Sequence, residues 1–184
     1  MSTPDFLIDY LTTNFNRPRM RHVLKRAADE LPQIDHRIWP YLGSVVGRSP
    51  AAQTADVITA LAWAEFHGDY QVPRNGRLRF GEALRAATAG NDNKRNTLHT
   101  ALTRADPTTL GRTVIRGIEV CRSAGQVPDW RALHKDLRRI LMYGEGHDVK
   151  RRWGSDLYSA IPTAPAGATD PDAEPAAEPV AAAS

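Results

Sequence analysis

The sequence predicts an all-α protein of two small helical bundles packed together, with about eight or nine helices. Apolar residues recur every three or four positions along most of residues 1–160, as they do on one face of a helix. Between these runs, glycines mark helix ends, and prolines with capping side chains mark helix starts. An alternating strand pattern is not found, so no sheet is expected.

The N-terminal half, residues 1–70, is expected to form the first bundle. Its helices are indicated by three apolar sets: Phe6, Ile8 and Leu11; Met20, Val23, Leu24 and Ala27; and Val57, Ile58, Leu61 and Phe66. For the last of these, Ser49-Pro50 offers a capping hydroxyl followed by a first-turn proline. The polar loop GDYQVPRNGR, residues 68–77, is predicted to separate this bundle from the next.

The C-terminal half, residues 77–160, is expected to form the second bundle. Its apolar sets include Leu98, Ala101 and Leu102; Val114, Ile115, Ile118 and Val120; and Trp130, Leu133, Leu137, Ile140 and Leu141. Asp106-Pro107 and Pro128-Asp129 are predicted helix starts. Tryptophan at helical spacing is typical of a core, so Trp39, Trp63, Trp130 and Trp153 are all expected inside, as is the single cysteine, Cys121.

Residues 161–184 differ in composition from the rest of the chain. This tail, IPTAPAGATDPDAEPAAEPVAAAS, is mostly Ala and Pro, and its prolines are spaced so as to prevent a helix. Such a segment cannot bury enough apolar surface to offset the entropy of ordering. It is therefore expected to be disordered, and no function is assigned to it.

The net charge of +3 is unevenly distributed, and residues 1–160 are more basic than the whole chain. The tail carries four of the 21 acidic residues and no basic one, so residues 1–160 hold 24 basic and 17 acidic residues, a net charge of +7. Twenty of the cations are Arg, whose planar guanidinium suits multidentate phosphate contact. An anionic partner such as a nucleic acid is indicated.

Several other classes are disfavoured. The chain contains no phosphate-binding glycine loop, HExxH or CxxC motif, and its six histidines are scattered without metal-ligand spacing. Neither an enzymatic activity, nor a metal, nor another cofactor is therefore expected. One cysteine, no apolar span and no signal-peptide pattern favour a cytoplasmic protein without a membrane partner.

The cations cluster on predicted helix faces beside apolar stripes. The stretch RPRMRHVLKR, residues 17–26, has no acid to neutralise its cations internally. The predicted helix that starts at Asp129 has the same pattern of cations beside an apolar stripe. These cations are Arg131, Lys135, Arg138 and Arg139. The last helix carries three cations in its first turns, where they oppose the helix dipole. Smaller groups lie at residues 77–85 and 94–95.

A helix-turn-helix DNA-binding element is an alternative interpretation. Ala86 and Gly90 have the mutual spacing of its small residue and turn glycine, but Asn96 stands where an apolar residue is required. One such element would also leave the basic groups at both ends of the chain unexplained. This alternative is a free-standing all-helical DNA-binding regulator.

Several segments, in order, resemble a known family. These are PRMRHVLKR, Trp39 before a glycine, LRFGEALRAA, NKRNTLHTALTRAD, VPDWRALHKDL and VKRRWGSDLY. Together, from Arg17 to Ala160, they are similar to the CasB family, the small subunit of the type I-E CRISPR surveillance complex Cascade. FGEAL, LTRAD and PDW are the best single markers. They are helix-start and packing signatures, so their order carries the resemblance.

The resemblance implies an all-helical, non-catalytic subunit that pairs with a second copy inside the complex. It also implies contacts with the other Cascade protein subunits, and with CRISPR RNA and target DNA, whose displaced strand the small subunits help to hold in the R-loop. Glu82 stands where many relatives have a basic residue, so a contact there would fall to Arg79 or Arg85. The expected nucleic-acid-binding residues are Arg19, Arg21, Lys25, Arg26, Arg79, Lys94, Arg95, Arg104, Arg138, Arg139, Lys150, Arg151 and Arg152.

Overall fold

The computed structural model describes residues 4–14, 16–29, 36–68 and 74–159. These ranges contain nine α-helices, a 3₁₀ turn at His36–Ile38 and no β-strand, which confirms the all-α prediction. The helices are α1 Pro4–Thr13, α2 Pro18–Asp29, α3 Trp39–Leu42, α4 Pro50–His67, α5 Phe80–Ala87, α6 Asp92–Arg104, α7 Leu110–Ser123, α8 Trp130–Met142 and α9 Gly146–Tyr158. The predicted tail, residues 161–184, lies outside the described residues.

Helix α4 is the centre of the molecule. It is buried along nearly its whole length and packs against α2, α7 and α8. Around the other end of the core, α9 packs against α5, α6 and α8. The buried apolar residues of all these helices form one continuous cluster. Residues from both predicted halves therefore share one core, and the boundary between residues 70 and 77 stays a prediction.

The predicted helix signals agree with the structure at several ends. The Ser49 hydroxyl accepts a hydrogen bond from the Ala52 amide (3.2 Å), and the Asp129 carboxylate accepts one from the Ala132 amide (3.0 Å). Gly90, Gly125 and Gly144 have positive φ, which glycine adopts at little cost. The start predicted at Asp106-Pro107 is displaced: α7 begins at Leu110.

The displacement at α7 has a local cause. The Asp106 carboxylate accepts hydrogen bonds from the amides of Thr108 and Thr109, both at 2.8 Å, and from their hydroxyls. Hydrogen bonding from these threonines lowers the pKa of Asp106 to about 2. The carboxylate thus closes a turn of its own before α7 starts.

Three of the four tryptophans are buried as predicted: Trp63, Trp130 and Trp153. The expectation for Trp39 is wrong, because this residue is 36% exposed. Helix α3 is only one turn long, and its buried apolar residue is Leu42. A helix of one turn has only one face against the core. Leu42 occupies that face, so Trp39 is left partly in solvent.

The end of the connecting loop is fixed against the start of α8. The Gly76 amide donates to the Pro128 carbonyl (3.2 Å), and the Asp129 amide donates to the Leu78 carbonyl (2.7 Å). The Trp130 indole donates to the Arg74 carbonyl (3.0 Å). A Cβ on Gly76 would lie 1.7 Å from the Val127 carbonyl oxygen, so this close approach requires glycine.

Candidate nucleic-acid interface

Helix α2 presents its cations away from the core. Met20, Leu24, Ala27 and Ala28 are buried, which confirms the predicted apolar stripe apart from half-buried Val23. Arg19 and Arg26 are exposed on the remaining surface. The structure therefore leaves this face of the helix accessible to an anionic partner.

The other two predicted cations of α2 line a cleft beside the end of α4. The cleft has a volume of about 330 Å³ and is lined by Pro18, Arg21, His22, Lys25 and Gly68. Half-buried Lys25 also faces Glu65 on α4. Burial raises the pKa of Glu65, although the nearby charges of Arg122 and Lys25 oppose that rise. Arg122 lies 2.8 Å from the Glu65 carboxylate and forms an ion pair with it.

A second cleft, of about 470 Å³, lies between the end of α6 and the start of α9. Lys150 and Arg151 line it together with His99 and His147. The Lys150 ammonium donates to the Ala105 carbonyl (2.7 Å), directly after Arg104, the last residue of α6. Folding thus places Lys150 and Arg151 in one cleft with the end of α6, where Thr103 and Ala105 line it on either side of Arg104 in the sequence. The two histidines were not predicted, since nothing in their spacing links them.

The cations around α5 and α6 have different surroundings. Arg79 and Lys94 are exposed. Arg95 lies 3.1 Å from Asp92 and donates to the Thr88 carbonyl (3.4 Å). The Glu82 carboxylate accepts a hydrogen bond from the Arg79 amide (2.7 Å), so the acid that departs from the family pattern caps α5.

Besides Arg95 and Arg151, which lies 3.6 Å from exposed Asp148, three further predicted cations contact carboxylates inside the chain. Arg138 forms a bidentate ion pair with Asp56, in which Nε and Nη2 donate to the two carboxylate oxygens at 2.9 and 2.8 Å. Arg139 lies 2.5 Å from Glu145, and Arg152 contacts Asp136, which also accepts from the Trp153 indole (2.8 Å). These guanidinium groups have anionic partners before any nucleic acid arrives.

The contact between Asp56 and Arg138 belongs to a buried network. The Asp56 and His134 side chains are fully buried, with His134 Nε2 at 2.6 Å from one carboxylate oxygen, and the Gly47 amide donates to the other at 2.7 Å. Burial raises the pKa of Asp56, but the hydrogen bonds from His134, Arg138 and Gly47 outweigh it and leave the pKa below 3.8. The network joins α4 to α8 and to the segment before α4.

Among the described residues, no group of three or more His, Cys, Asp or Glu side chains is placed to hold a metal ion. None of the described helices is long and apolar enough to cross a membrane. Cys121 is buried as predicted, and burial raises the pKa of its thiol to about 12, so the thiol stays protonated at neutral pH.

Comparison with known families now adds to this geometry. The model of the CRISPR-associated protein Cse2 matches residues 20–158, about three quarters of the chain. The chain belongs to the CRISPR-associated Cse2 family. The match begins within α2, directly after Arg19, and ends at the last residue of α9, so it covers all the other predicted cations described above. No curated protein matches the chain at a significant level.

Two solved structures share the fold of this Cse2 family member. A Cse2-family CRISPR-associated protein from Thermus thermophilus has 22% sequence identity and a TM-score of 0.67, with 87% of this chain and 100% of that chain covered. CasB from Thermobifida fusca has 14% identity and a TM-score of 0.64, with 85% and 95% covered. At such identities the likeness shows a common helical fold, and individual contacts must be argued from this chain's own residues.

Proposed function

We propose that the chain is a non-catalytic small subunit of an RNA-guided type I-E CRISPR surveillance complex in the cytoplasm. The family match over residues 20–158 carries this proposal. In such a complex the chain works beside the other Cascade protein subunits and a second copy of itself. Its contribution is to contact CRISPR RNA or target DNA and to stabilise the R-loop and the displaced strand.

The exposed cations support nucleic-acid contact. Arg19 and Arg26 on α2, Arg79 before α5, Lys94 on α6, and Arg104 and Arg151 beside the α6–α9 cleft all reach solvent. A displaced strand is a flexible row of phosphates with no sequence to be read, and dispersed arginines suit it. Arg21, Lys25, Arg95 and Lys150 flank these groups.

The predicted residues differ in how much they should contribute to nucleic-acid binding, because some of them already form ion pairs within the chain. A guanidinium already neutralised by a carboxylate gains less from a phosphate, because the existing pair must be broken first. We therefore expect smaller contributions from Arg138, Arg139 and Arg152.

Modest contacts can suffice for this task. Opening a duplex against a guide RNA is a near-balanced exchange, so a few backbone contacts tip it. Each neutralised phosphate also releases counterions, which makes the contribution dependent on salt. The proposed activity thus requires neither a catalytic group nor a metal.

The test is charge reversal in the assembled complex. Arg19→Glu with Arg26→Glu, and separately Arg104→Glu with Arg151→Glu, should weaken R-loop formation and leave the helical circular-dichroism spectrum unchanged. If both altered residues meet single-strand phosphates, the slope of log affinity against log salt should fall by about 1.4 per double variant, because each such contact contributes about 0.7. Arg116→Glu, an exposed reversal on α7 outside the predicted groups, is the matched control.

Two outcomes would contradict the proposal. If R-loop stability and its salt slope were unchanged in both double variants, these cations would not contact nucleic acid. If the purified chain instead bound one duplex sequence specifically and failed to assemble with other subunits, the regulator alternative would replace the complex subunit.

A further inference from the structure

A groove of about 680 Å³ lies between α1, the segment before α4 and the end of α8. Two of its lining residues are aromatic and strongly exposed: Phe6 is 50% exposed and Tyr143 is 66% exposed. Val45, Val46 and Met142 also line it. Two exposed aromatic rings facing one groove are not explained by core packing, so the groove is a candidate binding site.

The walls of the groove are fixed by hydrogen bonds. The amides of Val45 and Val46 donate to the Leu42 carbonyl at 2.9 and 3.1 Å, and the Gly47 amide donates to Asp56. The Tyr10 hydroxyl of α1, the helix that carries Phe6, donates to the Tyr41 carbonyl of α3 (2.7 Å) and so joins these two helices. The groove is thus largely formed before a ligand arrives, which lowers the entropic cost of binding.

The charge of the groove favours an anionic ligand. Its described lining contains two arginines, Arg48 and Arg138, and no acidic residue. The buried Asp56 carboxylate neutralises Arg138, so the net positive charge of the groove comes from exposed Arg48. A ligand that fills this groove should have flat apolar faces and negative charge in the same molecule.

We propose that the groove binds unpaired bases of single-stranded nucleic acid, which stack on Tyr143 and Phe6 while Arg48 contacts a neighbouring phosphate. A nucleotide combines the flat face and the fixed charge that the groove requires, and stacking on exposed aromatic rings accepts any base. This inference rests on the proposed function. It adds a base-contacting site to cations that would contact only phosphates.

The experiment measures binding of the full chain to two labelled probes. One is an oligothymidylate of about 16 nucleotides, the upper end of known site sizes, and the other is an abasic strand with the same number of phosphates. The intact protein should bind the oligothymidylate more tightly. Tyr143→Ala should weaken that binding roughly tenfold, since stacking contributes roughly 5- to 150-fold per base, and should leave abasic binding unchanged.

Matched variants test whether the contact is stacking. Tyr143→Phe keeps the ring and should bind as the intact protein does, whereas Tyr143→Leu keeps apolar bulk and should behave like Tyr143→Ala. Phe6→Ala should also weaken oligothymidylate binding selectively. Because both rings are exposed, thermal unfolding should be nearly unchanged in these variants.

The outcomes separate this inference from the proposed function. Equal affinity for both probes, or no effect of Tyr143→Ala, would overturn stacking, while the proposed function would stand if Arg19→Glu with Arg26→Glu weakened both probes. Absence of binding to either probe would count against both proposals. Loss of partner subunits from Tyr143→Ala with unchanged oligonucleotide binding would make the groove a protein interface and overturn stacking.

Discussion

At the scale of single residues, burial and partners decide what each arginine can do. Arg19 and Arg138 both lie beside an apolar stripe on a basic helix, and the sequence treats them alike. Arg19 is exposed, whereas the Arg138 side chain is only 14% exposed and contacts Asp56, 82 positions earlier. Long-range ion pairs have no local signature, so the sequence does not distinguish Arg138 from Arg19, and a place for Arg138 in the interface stays a prediction.

The buried network gives a prediction about stability. Asp56→Asn should lower the free energy of unfolding by about 3–5 kcal/mol at neutral pH, because it removes the fully buried charge that pairs with Arg138. Urea unfolding measures this. Asp9→Asn is the control, since Asp9 pairs with Arg131 at 2.7 Å on the surface, and its loss should cost less than about 1 kcal/mol. Equal costs for the two variants would contradict the buried network's role.

The same carboxylate predicts a pH dependence. Because the pKa of Asp56 in the folded protein lies below its ordinary 3.8, the ionised form is favoured by folding. Its stabilisation is fully present above pH 3.8 and is lost as the pH falls further, through the lower folded pKa. Unfolding curves of Asp56→Asn should lack this component of acid destabilisation. An identical acid dependence in both proteins would be the contrary result.

At the scale of elements, local chemistry sets most helix ends, and glycine permits the closest helix contacts. Ser49 and Asp129 cap their helices as the sequence predicts, because capping requires only neighbouring residues. The contact between α5 and α9 was not predictable in this way. A Cβ on Gly81 would lie 2.5 Å from the Trp153 carbonyl oxygen, so the two backbones approach more closely than alanine allows.

Two glycine substitutions test that contact. Gly81→Ala should destabilise the protein by about 1–3 kcal/mol, because backbone atoms must move apart. Gly154→Ala is the control: its Cβ would meet only the His99 ring, at 3.0–3.1 Å, and a side chain can rotate away. Gly81 lies in the first turn of α5 and Gly154 in the interior of α9, so the gain in helix propensity is larger for the control. Thermal unfolding should show a clear loss for Gly81→Ala alone, and equal losses would argue against backbone contact as the cause.

At the scale of the whole molecule, the shared core joins the two predicted bundles. Helix α4 of the first packs against α7 and α8 of the second, and the described apolar cluster runs through all of them. We expect one cooperative unfolding transition, with tryptophan fluorescence and far-ultraviolet circular dichroism coinciding. Residues 1–70 and 77–160 expressed separately should each be largely unfolded, since α4 in the first would lose α7 and α8, and α7 and α8 in the second would lose α4.

Separate transitions by the two probes, or a folded fragment 77–160, would show instead that the bundles are independent. The three buried tryptophans make this test sensitive, because Trp63 lies on α4 while Trp130 and Trp153 lie on α8 and α9. Fluorescence therefore reports from both halves of the chain.

The sequence alone determined the helical class, most helix ends, the apolar stripe of α2 and the series of segments whose order along the chain resembles the family. Each of these features depends on neighbouring residues or on helical periodicity, and both can be recognised in the sequence without a structure. Only the tertiary structure decided which cations remain exposed, that Lys150 and Arg151 line one cleft beside the end of α6, and that Phe6, Arg48 and Tyr143 line one groove. These depend on contacts between helices far apart in sequence, where packing of side chains, not local pattern, chooses the partner.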